Sequence, residues 1–159
     1  MTSSGAAVVT LPADNEILIT REFEAPPELV YRAWTTPELI KRWWSGDRGV
    51  VTSVQVDLRV GGMWRYVMTA NGGFEVAFHG EYREIVPNRR IVSTEVYEGM
   101  PEAEAVDTVT FTRKGEGTLV TVLVEHDSQE GRDAHINSGM EQGLQEALDH
   151  LEEVAVSLR

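Results

Sequence analysis

Apolar residues recur along the chain with two periods, one typical of strands and the other typical of helices. Seven segments are rich in β-branched and aromatic residues and are separated by turn residues such as Asn71-Gly72-Gly73. These predicted strands cover residues 16–23, 50–56, 63–68, 74–85, 91–97, 106–112 and 119–124. In the first strand Ile17, Ile19 and Phe23 share one face, and Arg21 is the exception on that face.

Helical spacing follows the first strand and returns at the C-terminus. Two short helices are predicted after the first strand, where Pro26-Pro27 and Pro37 suit the first turns of helices. Asp127, with Glu130 three residues later, resembles a capping box. We predict one long helix over residues 128–158. Its apolar stripe, at spacings of four and three residues, consists of Ile136, Met140, Leu144, Ala147, Leu151, Val154 and Leu158.

These elements predict an α+β fold. Successive strands joined by hairpin turns imply an antiparallel sheet, here of six to seven strands, which twists and curls. The long helix must bury its stripe, and the sheet is the surface available to it. We therefore expect a curved sheet wrapped around the C-terminal helix. Residues 16–159 are expected to form a single domain, and residues 1–15 a flexible tail.

Charge and composition narrow the classes of partner. The 26 acidic residues against 14 basic ones give a net charge of −12, which repels phosphate backbones and anionic membrane surfaces. We therefore expect neither nucleic acid nor a membrane as a partner. The 159 residues include no cysteine. The N-terminal segment has neither the basic start of a secretory signal nor the length of a transmembrane helix, so we expect a cytoplasmic protein.

Several short sequences occur in an order that is known from one protein superfamily. They are Ile19-Thr20-Arg21, the run APPELVYRAWT at 25–35, Pro37-Glu38-Leu39, Trp43-Trp44, Gly61-Gly62, His79-Gly80-Glu81-Tyr82 and the run SGMEQG at 138–143. Together they resemble the START-related helix-grip superfamily (SRPBCC), and most closely its bacterial relatives of the activator of the heat-shock-protein-90 ATPase. The resemblance implies a helix-grip fold that binds lipids, polyketides or other apolar molecules, acts on them in some branches, and binds proteins in others. One fold serves many functions, so the function depends on the site itself.

No catalytic or metal-binding motif stands out. No serine lies in a Gly-x-Ser-x-Gly elbow, and Gly115-x-Gly117 fits a hairpin turn rather than a nucleotide-binding loop. No two histidines have the His-x-x-x-His spacing of a metal site on one helix face. His126, Asp127 and His135 can approach one another at the start of the last helix, where we expect a solvated terminus in preference to a metal or acid–base site. We predict no catalytic residue, no metal and no cofactor.

Aromatic residues indicate a binding chamber. Alternation gives the strands at 63–68 and 74–85 one face each that carries mainly aromatic side chains. With residues of the C-terminal helix, these faces provide apolar walls and a few indole and phenol donors, which small-molecule sites require. The predicted ligand-binding residues are Trp43, Trp44, Trp64, Tyr66, Met68, Phe78, Gly80, Tyr82, Met140 and Leu144.

Three features bear on whether this chamber is open. Gly80 interrupts the inward row and leaves either a bulge or an empty volume. Trp43 and Trp44 are adjacent, so both indoles cannot point inward from one helix, and at least one is expected at the mouth of the chamber. Gly139 is expected to let the C-terminal helix lie close to the sheet. The same aromatic row also fits a closed, fully packed core.

Three functions remain open. The first is binding of a small apolar or aromatic molecule, the second is a co-chaperone-like interaction with a protein partner, and the third is an enzyme acting on a polyketide-like ligand. An open cavity with inward polar groups favours the first or the third, and a collapsed interior with an exposed apolar patch favours the second. A buried acid or histidine with a shifted pKa near the cavity favours an enzyme. Glu84 and Glu95 are the acids whose strand rows also carry inward residues.

Overall fold

The computed structural model describes residues 6–159, and in that range it contains eight strands and four helices. The strands are β1 (Val8–Thr10), β2 (Glu16–Phe23), β3 (Gly49–Val56), β4 (Met63–Ala70), β5 (Glu75–Val86), β6 (Arg90–Tyr97), β7 (Glu104–Lys114) and β8 (Gly117–His126). The helices are α1 (Pro27–Thr35), α2 (Pro37–Ile40), α3 (Gln129–Asn137) and α4 (Met140–Ser157). This order confirms the predicted α+β class with two short helices between β2 and β3.

The strands form one antiparallel sheet in the order β1-β2-β8-β7-β6-β5-β4-β3. The sheet has eight strands, so the prediction of six to seven strands is wrong. The extra strand is β1, which lies within residues 1–15, the segment predicted to be a flexible tail, and pairs with β2 at Val9 and Ile19. Three residues are too few for an alternation pattern to reveal a strand. Residues 1–5 of that segment lie outside the described range.

Both edges of the sheet reach the same turn of α4. Beside β1, the Ala7 backbone N–H donates to Gln145 Oε1 at 2.9 Å and the Ala7 carbonyl accepts from Gln145 Nε2 at 2.8 Å. Beside β3, the Asp47 N–H and Arg48 Nε donate to Glu146 Oε1 at 3.3 and 3.4 Å. Because neighbouring strands stand about 4.8 Å apart, eight strands reach one helix turn from both sides only if the sheet curls around that helix.

The predicted single C-terminal helix is two helices. The break is at Gly139, whose φ of 83° is left-handed and favours glycine. A β-carbon built on Gly139 meets no other atom within 4 Å, so this glycine serves the backbone turn and not the close packing that we predict from sequence. The cap of α3 also differs from the prediction, because Ser128 Oγ, and not Asp127, accepts from the Gly131 N–H at 3.0 Å.

The hydrophobic core lies between the sheet and α4. Leu151 has no exposed surface, as its predicted orientation toward the sheet requires, and Leu148, Val154 and Ala155 are buried with it. Met140 and Leu144 are half-buried and pack against this core from the first turns of the helix. No helix among residues 6–159 is both long enough and apolar enough to span a membrane.

Arg21, the polar exception in β2, is buried beneath α4. Its side chain is 2% exposed, and its Nη2 lies 3.0 Å from Asp149 Oδ1 and 3.1 Å from Glu152 Oε1. The guanidinium carbon also lies 4.8 Å from the centre of the Phe23 ring. A buried cation is stable only when it is paired in this way. Arg21 therefore identifies the face of the sheet that α4 covers.

Candidate functional site

The pairing register extends the face marked by Arg21 across the sheet. Arg21 stands opposite Val120 of β8. Val122, two residues after Val120 on the same strand, stands opposite Val109 of β7. Side chains two residues apart share a face, so the face continues through β7 to β6, β5 and β4. We call this surface the helix-facing face. Besides its aliphatic residues, it carries Trp64, Tyr66, Phe78, Tyr82, Glu95, Asp107 and His126.

Four aromatic residues meet at the β4–β5 end of this face. The Trp44 ring lies 5.4 Å from the Tyr66 ring and 5.7 Å from the Phe78 ring, in edge-to-face arrangements. The Trp64 ring lies 4.8 Å from the Tyr66 ring. We call Trp44, Trp64, Tyr66 and Phe78 the aromatic row. Trp44 stands across from the strands and is half-buried.

Two phenols place hydrogen-bonding groups in this region. The Tyr66 and Tyr82 hydroxyls interact with one another, and burial raises the pKa of Tyr66 well above its usual value. Burial also raises the pKa of Tyr82 to about 12. Both hydroxyls therefore remain protonated at neutral pH and can donate hydrogen bonds.

Trp43 does not belong to the aromatic row. It is 6% exposed, its Nε1 donates to the Ala33 carbonyl at 2.9 Å, and its ring lies 5.4 Å from the Trp34 ring. The adjacent indoles of Trp43 and Trp44 point in different directions; both residues lie in the turn after α2 and not in the predicted second helix. Trp43 is consequently a core residue beneath α1.

Gly80 does not mark an empty volume. A β-carbon on Gly80 would collide with the Thr94 carbonyl oxygen and would lie 2.5 Å from Trp64 Nε1. The Trp64 indole and the neighbouring strand therefore fill the space that the sequence assigns to a void. Met68 lies on the same side of β4 as Tyr66 and is half-buried, beyond the end of the row.

Two carboxyl groups interact in the middle of the helix-facing face. Asp107 of β7 and Glu95 of β6 are diagonal neighbours on adjacent strands, and burial, followed by the charge of Glu95, raises the pKa of Asp107 well above its usual value. Glu84, the other acid considered from sequence, instead pairs with Arg90 at 3.0 Å and is 42% exposed.

Two histidines meet where α3 begins. His126 Nε2 lies 3.0 Å from His135 Nδ1, which confirms that these residues approach each other at the start of the last helical region. Burial lowers the pKa of His126, and the charge of His135 lowers it further. Across residues 6–159, no three histidine, aspartate or glutamate side chains are grouped so that they could hold a metal ion.

Three buried polar atoms on the helix-facing face lack a hydrogen-bond partner within the described part of the chain. They are Trp64 Nε1, Asp107 Oδ1 and His126 Nδ1. Buried polar atoms are almost always paired, so each such atom indicates a bound water, ion or ligand, or a functional role. Asp107 was not among the residues predicted from sequence. One sequence feature could have identified it, because it is a polar residue on the inward row of the strand at 106–112, together with Val109 and Phe111.

Two depressions lie elsewhere on the surface of the described residues. One, of about 580 Å³, lies between the start of α1 and the β5–β6 turn. The other, of about 320 Å³, lies beside Asn15, Glu125 and His126. None of the ten ligand-binding residues predicted from sequence lines either depression.

Solved structures share this fold over nearly the whole chain. A protein of Rhodobacter sphaeroides has a TM-score of 0.90 and 24% identity, with 96% of this chain and 99% of that one covered. The protein NE0264 of Nitrosomonas europaea has a TM-score of 0.83 and 25% identity, with 92% and 97% covered. The protein CV1439 of Chromobacterium violaceum has a TM-score of 0.79 and 29% identity, with 90% and 98% covered.

Sequence comparison identifies the family. No curated protein matches the chain. The model of the family "Activator of Hsp90 ATPase homolog 1-like protein" matches residues 24–155, from the end of β2 to the last turns of α4. The match includes the strands that carry the aromatic row, the acids and the histidines. The chain therefore belongs to the family of activator of Hsp90 ATPase homolog 1-like proteins.

Proposed function

We propose that the protein binds a small, largely apolar or aromatic molecule between the helix-facing face of the sheet and α4. The observation that carries this proposal is the set of three buried polar atoms without partners, Trp64 Nε1, Asp107 Oδ1 and His126 Nδ1. A ligand with a few polar atoms would satisfy them, at a site whose walls are otherwise apolar. The residues proposed to contact it are Trp44, Trp64, Tyr66, Met68, Phe78, Tyr82, Met140 and Leu144.

The proposed walls suit a flat ring. Trp44 stands opposite Tyr66 and Phe78, and rings prefer edge-to-face or offset contacts of the kind that an inserted aromatic ligand can adopt. Because Trp64 and Tyr82 are almost fully buried, entry of a ligand requires Trp44 or the first turns of α4 to move. The backbone turn at Gly139 stands at the start of those turns.

Native mass spectrometry of the freshly purified protein tests whether a small molecule co-purifies. A titration with the neutral dye N-phenyl-1-naphthylamine tests the place of binding, and we expect a blue shift of the dye and quenching of tryptophan emission. Leu144→Trp adds volume beneath α4 and should weaken dye binding at least tenfold. Val50→Trp adds the same indole at a position that is 69% exposed and is the control.

Equal dye affinity in the two variants would exclude this site. Absence of both dye binding and a co-purifying molecule from the parent protein would exclude the function. Melting temperatures of the variants distinguish blocked binding from loss of the fold.

Catalysis on the bound molecule is a second candidate, favoured by Asp107 and His126. Burial raises the pKa of Asp107 and lowers that of His126, and these directions suit a general acid and a general base. The co-purifying molecule should then change mass on incubation with the wild type. It should not change with Asp107→Asn or His126→Gln. An unchanged mass with the wild type would leave binding as the function.

Binding of a protein partner is favoured by one surface feature. Leu58, Val60 and Met63, around the β3–β4 connection, are 40%, 61% and 53% exposed. Neighbouring exposed apolar side chains mark interaction surfaces. The family's name suggests the assay, which is the ATPase rate of an Hsp90-class chaperone with the wild type and with the triple serine variant. Equal rates for both proteins would exclude this surface.

A further inference from the structure

We propose that the ligand carries a cationic nitrogen, such as a protonated amine, beside an aromatic ring, and that Glu95 and Asp107 bind this nitrogen. The inference rests on the proposed function and assigns a chemical class to the molecule bound there.

The backbone register places the two carboxyl groups side by side. Asp107 stands opposite Ser93 of β6, and Glu95, two residues from Ser93 on the same face, stands opposite Ala105 of β7. The two acids are therefore diagonal neighbours on adjacent strands, at a separation that long side chains bridge. Ser93 and Ala105, at the other two corners, have small side chains and are buried.

The pair carries negative charge without a cation to balance it. Within residues 6–159 no salt bridge joins Glu95 or Asp107 to a lysine or an arginine, and Arg21 on the same face is held by Asp149 and Glu152. His126, the nearest basic side chain on β8, is kept neutral at neutral pH by burial. Asp107 Oδ1 is buried without a hydrogen-bond partner among the described residues, and the charge of Glu95 beside it raises the pKa of Asp107.

A ligand ammonium group would complete this arrangement. It would favour the ionised form of both acids, so that a proton held by Asp107 passes to the solvent, and would donate N–H bonds to both carboxylates. A ligand carboxylate would instead bring a third acid into a buried site, which is strongly unfavourable. A neutral ring would leave Asp107 Oδ1 without a partner.

The ring of such a ligand would lie on the aromatic row. Tyr66 belongs to the row and is close enough to Glu95 for the charge of Glu95 to raise its pKa further. The acid pair and the aromatic faces are therefore neighbours. Aromatic faces also attract cations, so both halves of the site favour the same chemistry.

Three probes with the same ring test the inference by isothermal titration calorimetry: tryptamine (cationic), 3-methylindole (neutral) and indole-3-acetate (anionic). We expect tryptamine to bind at least tenfold more tightly than 3-methylindole, and indole-3-acetate to bind at least tenfold more weakly. Asp107→Asn and Glu95→Gln should each remove most of the preference for tryptamine over 3-methylindole. Glu84→Gln removes an acid that is 42% exposed and is the matched control.

Two further measurements separate the acid pair from the general acidity of the protein. Attraction by surface charge falls steeply with salt, so the preference for tryptamine should persist at 0.5 M salt if buried acids cause it. Titrations in two buffers of different ionisation enthalpy should show proton release on tryptamine binding. Tyr66 and His126 lie close enough to Glu95 for its charge to act on their pKa values, so proton release must disappear in Asp107→Asn to be assigned to the acid pair.

Equal affinity for the three probes, or an unchanged preference in both acid variants, would overturn the inference and leave the proposed function standing. If neither the probes nor N-phenyl-1-naphthylamine bind, the proposed function fails, and the assigned ligand class fails with it. Melting curves of both acid variants confirm that the compared proteins are folded.

Discussion

Asp107 occupies a position at which strand alternation requires an apolar side chain, between Ala105 and Val109 on the inward row of β7. Its side chain lies beside Glu95, and burial raises its pKa well above the usual value. A buried acid costs stability, and acids with shifted pKa values cluster at functional sites. At the scale of single residues, the proposed site therefore contains a group that reduces the free energy of unfolding.

The pH dependence of stability should reveal this cost. Because the pKa of Asp107 is raised above its ordinary value of 3.8, the folded protein keeps a proton that the unfolded chain releases. Stability must then fall as pH rises from about 4 toward the raised pKa. Asparagine does not titrate at this position. The free energy of unfolding of Asp107→Asn should therefore be higher than that of the wild type by about 1 kcal/mol or more at pH 8, and the two values should become similar near pH 4.

Urea denaturation of both proteins at several pH values measures this difference. Parallel curves of stability against pH for Asp107→Asn and the wild type would show that Asp107 is ionised in the folded state.

Two glycines should respond to the same substitution in opposite ways. Gly80→Ala forces a methyl group against the Thr94 carbonyl and the Trp64 indole, and overpacking of this kind costs about 1–3 kcal/mol. Gly143→Ala lies in α4 with its nearest neighbouring atom, Arg48 Cζ, at 3.9 Å, so it should stabilise by up to about 1 kcal/mol through helix propensity. Thermal unfolding measures the sign of the stability change in each variant. A Gly80→Ala variant as stable as the wild type would show that there is empty space at Gly80.

Alternation predicts from sequence which side chains share a face, and it correctly brings together Trp64, Tyr66 and Phe78. Alternation does not predict which side chains of neighbouring strands occupy the space above a residue. For this reason the sequence allows an empty volume at Gly80, where the structure places the Trp64 indole. It also does not decide which of two adjacent indoles turns toward the sheet. The Trp43 indole is held away from the sheet by its hydrogen bond to the Ala33 carbonyl, 10 residues earlier in the chain.

At the scale of elements, the C-terminal helix shows how a periodic pattern hides a break. The apolar stripe continues from Ile136 to Met140 across the break because α3 and α4 both pack on the same core. The two residues between the helices, Ser138 and Gly139, carry no apolar signal. Only the left-handed backbone at Gly139 reveals the turn, and many helices tolerate a glycine without one.

Gly139→Ala should cost about 1 kcal/mol, because the backbone at this position has a φ of 83° that side chains rarely adopt. The β-carbon itself meets nothing within 4 Å, so the cost would come from the backbone alone. Gly139→Asn should cost less, since asparagine tolerates the left-handed region. Chemical denaturation measures both, and a stabilising Gly139→Ala would indicate that α3 and α4 form one continuous helix in solution.

At the scale of the whole molecule, α4 is held by groups from distant parts of the sheet. Ala7 and Arg48, at the opposite edges, bond to Gln145 and Glu146. Arg21 reaches Asp149 and Glu152 one to two turns further along. The sheet is therefore clasped to the helix at its margins, on either side of the acid pair on β6 and β7.

The Arg21 contact should contribute strongly to this clasp. Glu152→Gln removes the better buried of its two acids, at 12% side-chain exposure. It should cost about 2–4 kcal/mol, because it weakens the compensation of a buried charge. Glu153→Gln changes the next residue, whose side chain is 78% exposed, and should alter stability by less than about 0.5 kcal/mol. Similar unfolding midpoints for the two variants would show that Asp149 alone is sufficient for Arg21.

The strand order also determines when the domain can close during synthesis. From β3 to β8 each strand pairs with the next one along the chain, so these hairpins can form as they leave the ribosome. Glu16–Phe23 must wait for Gly117–His126, its partner, which is translated about 100 residues later. At typical rates that delay is on the order of 10 s. During it Ile17, Ile19 and Phe23 remain open to chaperones, and translation of α4 supplies the last surface that covers them.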